Sequence, residues 1–162
     1  MKLSRQLFSR KDSLSNAPTP EAPRGFAPED REGVAFNEEM FQHFLMIETK
    51  RSERSNRPFL LLLLDLKKVA DLDASIEPTV ATRLFSGLSQ CLRETDFVGW
   101  YRKPLVVGAV LTQREGATGS ETAHIVNERL RGALNVEAPS DPLHRLQVRV
   151  YRRPQGLRNL RS

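Results

Sequence analysis

Asp65 ends the apolar run FLLLLLDL, residues 59–66. A carboxylate at a strand end, joined by a second one from a neighbouring hairpin, can hold divalent cations for displacement at a phosphate. The hairpin that would supply the partner acid lies in RETDFVGWYRKPLVVGAVL, residues 93–111, and its tip is Arg102, Lys103 and Pro104. Lys67, two residues beyond Asp65, adds another positive charge that would repel a metal. Metal chemistry is therefore not expected, and no cofactor is implied. Asp65, Asp71 and Asp73 are read as strand-end and turn residues. Arg93 and Asp96, three residues apart, form a different kind of pair. Arginine donates in a planar fork and aspartate accepts, a combination suited to a planar hydrogen-bonding ligand or a phosphate. Their structural reading is simpler: Arg93 favours a helix C-terminus and Asp96 opens a strand.

These residues need a scaffold, and 162 residues suffice for one domain. The net charge of +5 favours anionic partners without specifying one. A single cysteine, Cys91, excludes an internal disulfide, and His43, His124 and His144 have no zinc spacing. A reducing cytoplasm fits. No run approaches the roughly 20 apolar residues of a membrane span. The opening MKLSRQLFSRK is followed by DSLSNAPTPEAPRG rather than an apolar core, so no secretory signal is expected, although peripheral membrane contact by this arm is compatible with its composition.

Residues 1–35 are rich in Pro, Ser, Ala and charge, and are read as a disordered basic arm and linker. Order is expected from Phe36, with Asn37 capping a helix to about Arg54 and Phe36 stapled onto Phe41. Met40, Phe41, Phe44, Leu45 and Ile47 make its apolar face. FLLLLLDL reads as a strand buried on both sides. Pro78 opens a second helix with Val80, Ala81, Leu84, Phe85, Leu88, Cys91 and Leu92 inward. After the hairpin, Thr118 and Glu121 have capping-box spacing ahead of a third helix carrying Ala123, Val126, Leu130, Ala133 and Leu134, with His124 outside. LQVRVYRR alternates as a strand with one wet face, Leu146, Val148 and Val150 inward. The order strand, helix, strand, strand, helix, strand predicts an α+β fold, ferredoxin-like, with helices packed on an antiparallel-containing sheet. The domain is taken as 36–153, followed by a basic tail at 154–162.

SNRPFLLLLLDLKKV, followed by VATRLFSGLSQCLRETDFVGWYRKPLVVGAVL, resembles the nucleotide cyclase-like GGDEF domains of bacterial diguanylate cyclases, which make cyclic di-GMP. The likeness runs from about Phe36 to Arg152. It implies two metal-binding acids at the first strand, but Lys67 stands at the second and Asp65 is a vestigial position. The signature falls on Arg102, Lys103, Pro104, Leu105 and Val106, with no glycine pair and no acid. The loop ADLDASIEP is shorter than the family's guanine-contacting loop. The resemblance therefore implies a degenerate domain, a pseudoenzyme without a metal. Arg93 to Asp96 match the family's RxxD site for cyclic di-GMP, to which Arg102 and Lys103 could add charge. The expected function is regulatory, through cyclic di-GMP, a protein partner or both. The alternative is an interaction module of ferredoxin-like fold with no nucleotide ligand. RNA binding is not expected, because LVVGAVL offers no aromatic for base stacking.

Overall fold

The structure, a computed structural model, describes residues 31–32, 35–112 and 118–153. Two short strands, β1 (Arg31–Glu32) and β2 (Ala35–Phe36), pair antiparallel at one edge of the sheet. They lie in and next to the stretch read as linker, so sheet pairing starts a few residues earlier than the composition suggests. Backbone hydrogen bonding and the burial of Ala35 recruit a segment whose side chains alone would not signal it. The rest of the expected arm and the tail at 154–162 lie outside the described residues.

Helix α1 (Glu38–Ser55) starts as its sequence requires: the Asn37 side chain accepts from the Met40 amide at 2.9 Å, and Glu38 and Glu39 occupy the first turn. It stops at Asn56, which takes a left-handed conformation. Strand β3 (Phe59–Leu66) follows, then α2 (Pro78–Cys91), β4 (Phe97–Arg102), β5 (Val106–Thr112) and α3 (Gly119–Leu134). A short 3-10 turn at Pro142–Arg145 leads into β6 (Leu146–Arg153). The six strands are ordered β1-β2-β4-β5-β3-β6. The last four are mutually antiparallel in the expected ferredoxin-like arrangement.

β3 is buried on both faces because helices cover both. Leu60, Leu62, Leu64 and Leu66 join α2, α3 and Trp100 in one apolar cluster. Phe59, Leu61 and Leu63 join Phe41 and Leu45 of α1 in the other. Phe41 fits because two glycines face it. Gly99 and Gly108 are register partners, and a Cβ added to Gly108 would lie 2.5 Å from Phe41 Cζ. The expected helix faces hold with one exception: Ile47 is 44% exposed, on the flank of α1 rather than beneath it. Cys91 and Leu92 are half-buried at the rim of the α2 face. His124 is exposed as expected.

Candidate functional site

The antiparallel register places Asp65 opposite Val106 on one side and Gln147 on the other, so the end of β3 does lie beside the β4–β5 hairpin. Its chemistry is set by β6. Arg149, two residues from Gln147 on the same face, donates from Nη2 to Asp65 Oδ2 at 2.8 Å. Asp65 Oδ1 is buried with no hydrogen-bond partner. Lys67 is exposed, and its amide donates to the Arg145 carbonyl at 2.8 Å. The hairpin tip is tied down by its neighbours: the Lys103 amide donates to Glu38 Oε2 at 2.8 Å, and the Ile76 amide to the Pro104 carbonyl at 2.8 Å. Lys103 Nζ lies 5.9 Å from the centroid of the Trp100 ring. Asp73 is a turn residue, with Ser75 donating to it through both amide and hydroxyl. Those bonds hold its carboxyl below the usual aspartate range.

Arg93 and Asp96 sit at the other end of β4. Both border one open groove of about 430 Å³, whose apolar side comes from Phe36, Phe44, Leu92 and Phe97. The aromatic wall is tightly built, with Phe36 and Phe44 ring centroids 5.0 Å apart and Phe44 and Phe97 at 5.9 Å. Arg93 is exposed, whereas Asp96 is turned back onto its own chain. Asp96 Oδ2 accepts from the Arg93 amide at 3.0 Å, and Oδ1 from the Thr112 amide at 3.0 Å and its hydroxyl at 3.3 Å. Asp96 thus closes the α2–β4 turn and staples it to the end of β5. A second groove, of about 680 Å³, continues past Phe44, Thr95 and Phe97 towards Arg51 and Arg57.

The geometry corrects one expectation. Arg102 and Lys103 do not join Arg93 and Asp96, because the length of β4, about 17 Å of extended chain, separates the two pairs. Proximity in sequence misled here, since a strand carries its two ends apart. Two features were missed: the Arg149–Asp65 pair and the aromatic wall of the groove. Strand alternation places Arg149 outward, but only the β3–β6 register reveals which acid it meets.

No protein-family model matches this sequence, and no curated protein matches it by sequence. Solved structures do match. A DGC protein from Thermotoga maritima superposes with a TM-score of 0.54 at 17% identity, over 80% of this chain and 87% of that one. The GGDEF domain of DgcB from Caulobacter crescentus, in complex with c-di-GMP, gives 0.52 at 15% identity, over 78% of each chain. This chain has the GGDEF-domain fold. Diguanylate cyclase SiaD from Pseudomonas aeruginosa, in complex with its activator SiaC, gives 0.53 at 22% identity, with 78% of this chain covering 49% of that longer one.

Within the GGDEF fold, the end of β3 and the hairpin form the place where the resemblance implies divalent cations. The residues present do not fit them. The one carboxylate already answers a guanidinium, Lys67 follows it, and the tip supplies Arg102, Lys103, Pro104 and Leu105. Among the described residues, no group of three or more His, Cys, Asp and Glu side chains is arranged to hold a metal ion.

Proposed function

We propose that this chain is a regulatory domain that keeps the GGDEF fold, has given up turnover and works by binding. The ion pair between Asp65 and Arg149 carries this reading, because it neutralises the one carboxylate at the place where a cyclase would need to gather cations around a triphosphate. The ligand assigned to the Arg93 groove is cyclic di-GMP. Arg93 donates to a phosphate or a guanine edge, and the Phe36–Phe44–Phe97 wall offers apolar surface to a base. The output is capture of a protein partner in the cytoplasm, and no helix among the described residues is long and apolar enough to cross a membrane. Packing of α1 over one sheet face also argues against RNA stacking on that sheet, since those positions are filled by Phe41 and Leu45.

Two measurements test the two halves. Incubation with GTP and either magnesium or manganese should yield no cyclic dinucleotide, and formation of product would end the non-catalytic reading. Calorimetry with cyclic di-GMP should show binding that Arg93→Ala removes. Absence of heat at about 50 μM ligand would remove the ligand half alone.

One observation favours a second reading, an interaction module with no nucleotide ligand. Asp96 already accepts three hydrogen bonds from Arg93 and Thr112, which leaves it little capacity to receive the two donors of a guanine edge. Partner capture that survives Arg93→Ala, in a protein silent towards cyclic di-GMP, would select it.

A further inference from the structure

Among the described residues the sheet has one long open edge. At its other margin stand β1 and β2, of two residues each, whereas β6 runs for eight residues and pairs with β3 alone. The Lys67 amide donates to the Arg145 carbonyl at 2.8 Å, and the β3–β6 register continues from there without a shift. In an antiparallel ladder the pairs that exchange hydrogen bonds alternate. Gln147, Arg149, Tyr151 and Arg153 therefore turn their backbone groups towards β3. Val148, Val150 and Arg152 turn theirs outwards, where no described strand meets them. Residues 142–153 also carry four arginines and no acid. Strand alternation puts Arg149 and Arg153 on one face with Gln147 and Tyr151, and Val148, Val150 and Arg152 on the other. Charge on an edge strand keeps like edges apart. It does not account for an uninterrupted edge of this length, with no bulge and no proline to close it.

We propose that this edge receives an extended acidic segment of a partner protein as a further strand of the sheet. The backbone groups of Val148, Val150 and Arg152 supply the ladder, and the arginines select the charge of the occupant. β3 already shows the arrangement from the inner side, where its Asp65 meets Arg149 across the strand pair at 2.8 Å. A strand on the outer side repeats it when its acids stand on the Arg149 face. Its other side chains then lie beside Val148 and Val150, which are half-buried against the α2–α3 cluster. The occupant is thus a segment in which acidic and apolar residues alternate. A second copy of the chain is a poor occupant, because pairing β6 with β6 sets arginines against arginines. The inference rests on the partner-capture half of the function proposed above and needs no nucleotide at Arg93.

Amide hydrogen exchange of the full chain, followed by NMR with an end-blocked peptide of sequence EVEVEVE at up to about 1 mM, tests the strand addition. The expected result is exchange slowed about tenfold at Val148, Val150 and Arg152, with Gln147, Arg149 and Tyr151 unchanged. Arg152→Glu should weaken binding about fivefold. The peptide KVKVKVK should not bind, and neither should EVEVEVE methylated on its amide nitrogens, which keeps the charge and loses the donors. No slowing at the three outward amides would overturn the proposal. So would equal binding of the lysine peptide or of the methylated one. Protection of the same amides before any peptide is added would show the edge closed by the chain itself or by a second copy, and would overturn it too. Each of these outcomes leaves the calorimetric test at Arg93 as it stands, so the two readings fall separately.

Discussion

Asp96 and Arg93 share a groove but do different work, and single substitutions separate them. Asp96→Ala leaves the Arg93 and Thr112 amides without their acceptors. Thermal melting should show a loss of about 1–3 kcal/mol, with or without ligand. Asp96→Asn keeps one oxygen for Thr112 and should lose less. Arg93→Ala changes an exposed side chain and should stay within about 0.5 kcal/mol of the parent, so its effect on ligand heat can be read without a folding correction. Arg83 and Asp141 provide a pH-dependent contact elsewhere. The Arg83 guanidinium, donating at 2.8 Å and 3.1 Å, holds the Asp141 carboxyl below its ordinary value of 3.8, and the Leu143 amide adds to this. With the folded-state value depressed, the contribution is present above the unfolded value and is lost as pH falls through the folded one. Melting of the parent and of Arg83→Met across pH should therefore show a gap that is constant down to about pH 4 and closes below it.

Helix α1 occupies its position because two strands lack side chains beneath it. Gly99 and Gly108 form the floor, and Phe41 fills the hollow they leave. Gly108→Ala should cost about 1–3 kcal/mol in denaturant midpoint, because the aromatic ring and the backbone below it have little room to yield. Phe41→Leu placed in the same chain should recover part of that loss. The same helix anchors the hairpin, through Glu38 to the Lys103 amide and Gln42 to the Tyr101 carbonyl, the latter at 2.7 Å. A hairpin held this way presents Arg102 and Lys103 on a fixed tip.

The sheet joins two apolar clusters through β3, β4 and β5, each of which sends side chains into both, and this makes the domain one cooperative unit. Leu61 faces α1 and Leu62 faces α2 and α3. Truncating either to Ala should cost about 2–5 kcal/mol. Trp100 belongs to the α2–α3 cluster, yet its fluorescence transition should shift with Leu61→Ala on the opposite face and coincide with the loss of circular dichroism. Separate transitions would show that the two layers melt independently. The α+β order, the Asn37 cap, the buried character of β3 and the helix faces were all legible in the chain, because spacing and capping act between residues a few positions apart. Linear order misjudged the ends of that scheme: Ala35 entered the sheet and Ile47 faced water, since neighbouring segments decided what each would meet. Contacts between distant residues were reserved for the tertiary structure. Asp65 meets Arg149, Asp96 meets Thr112, and Arg102 stands a strand length from Arg93, because register and strand direction bring together or separate groups whose sequence spacing carries no such information.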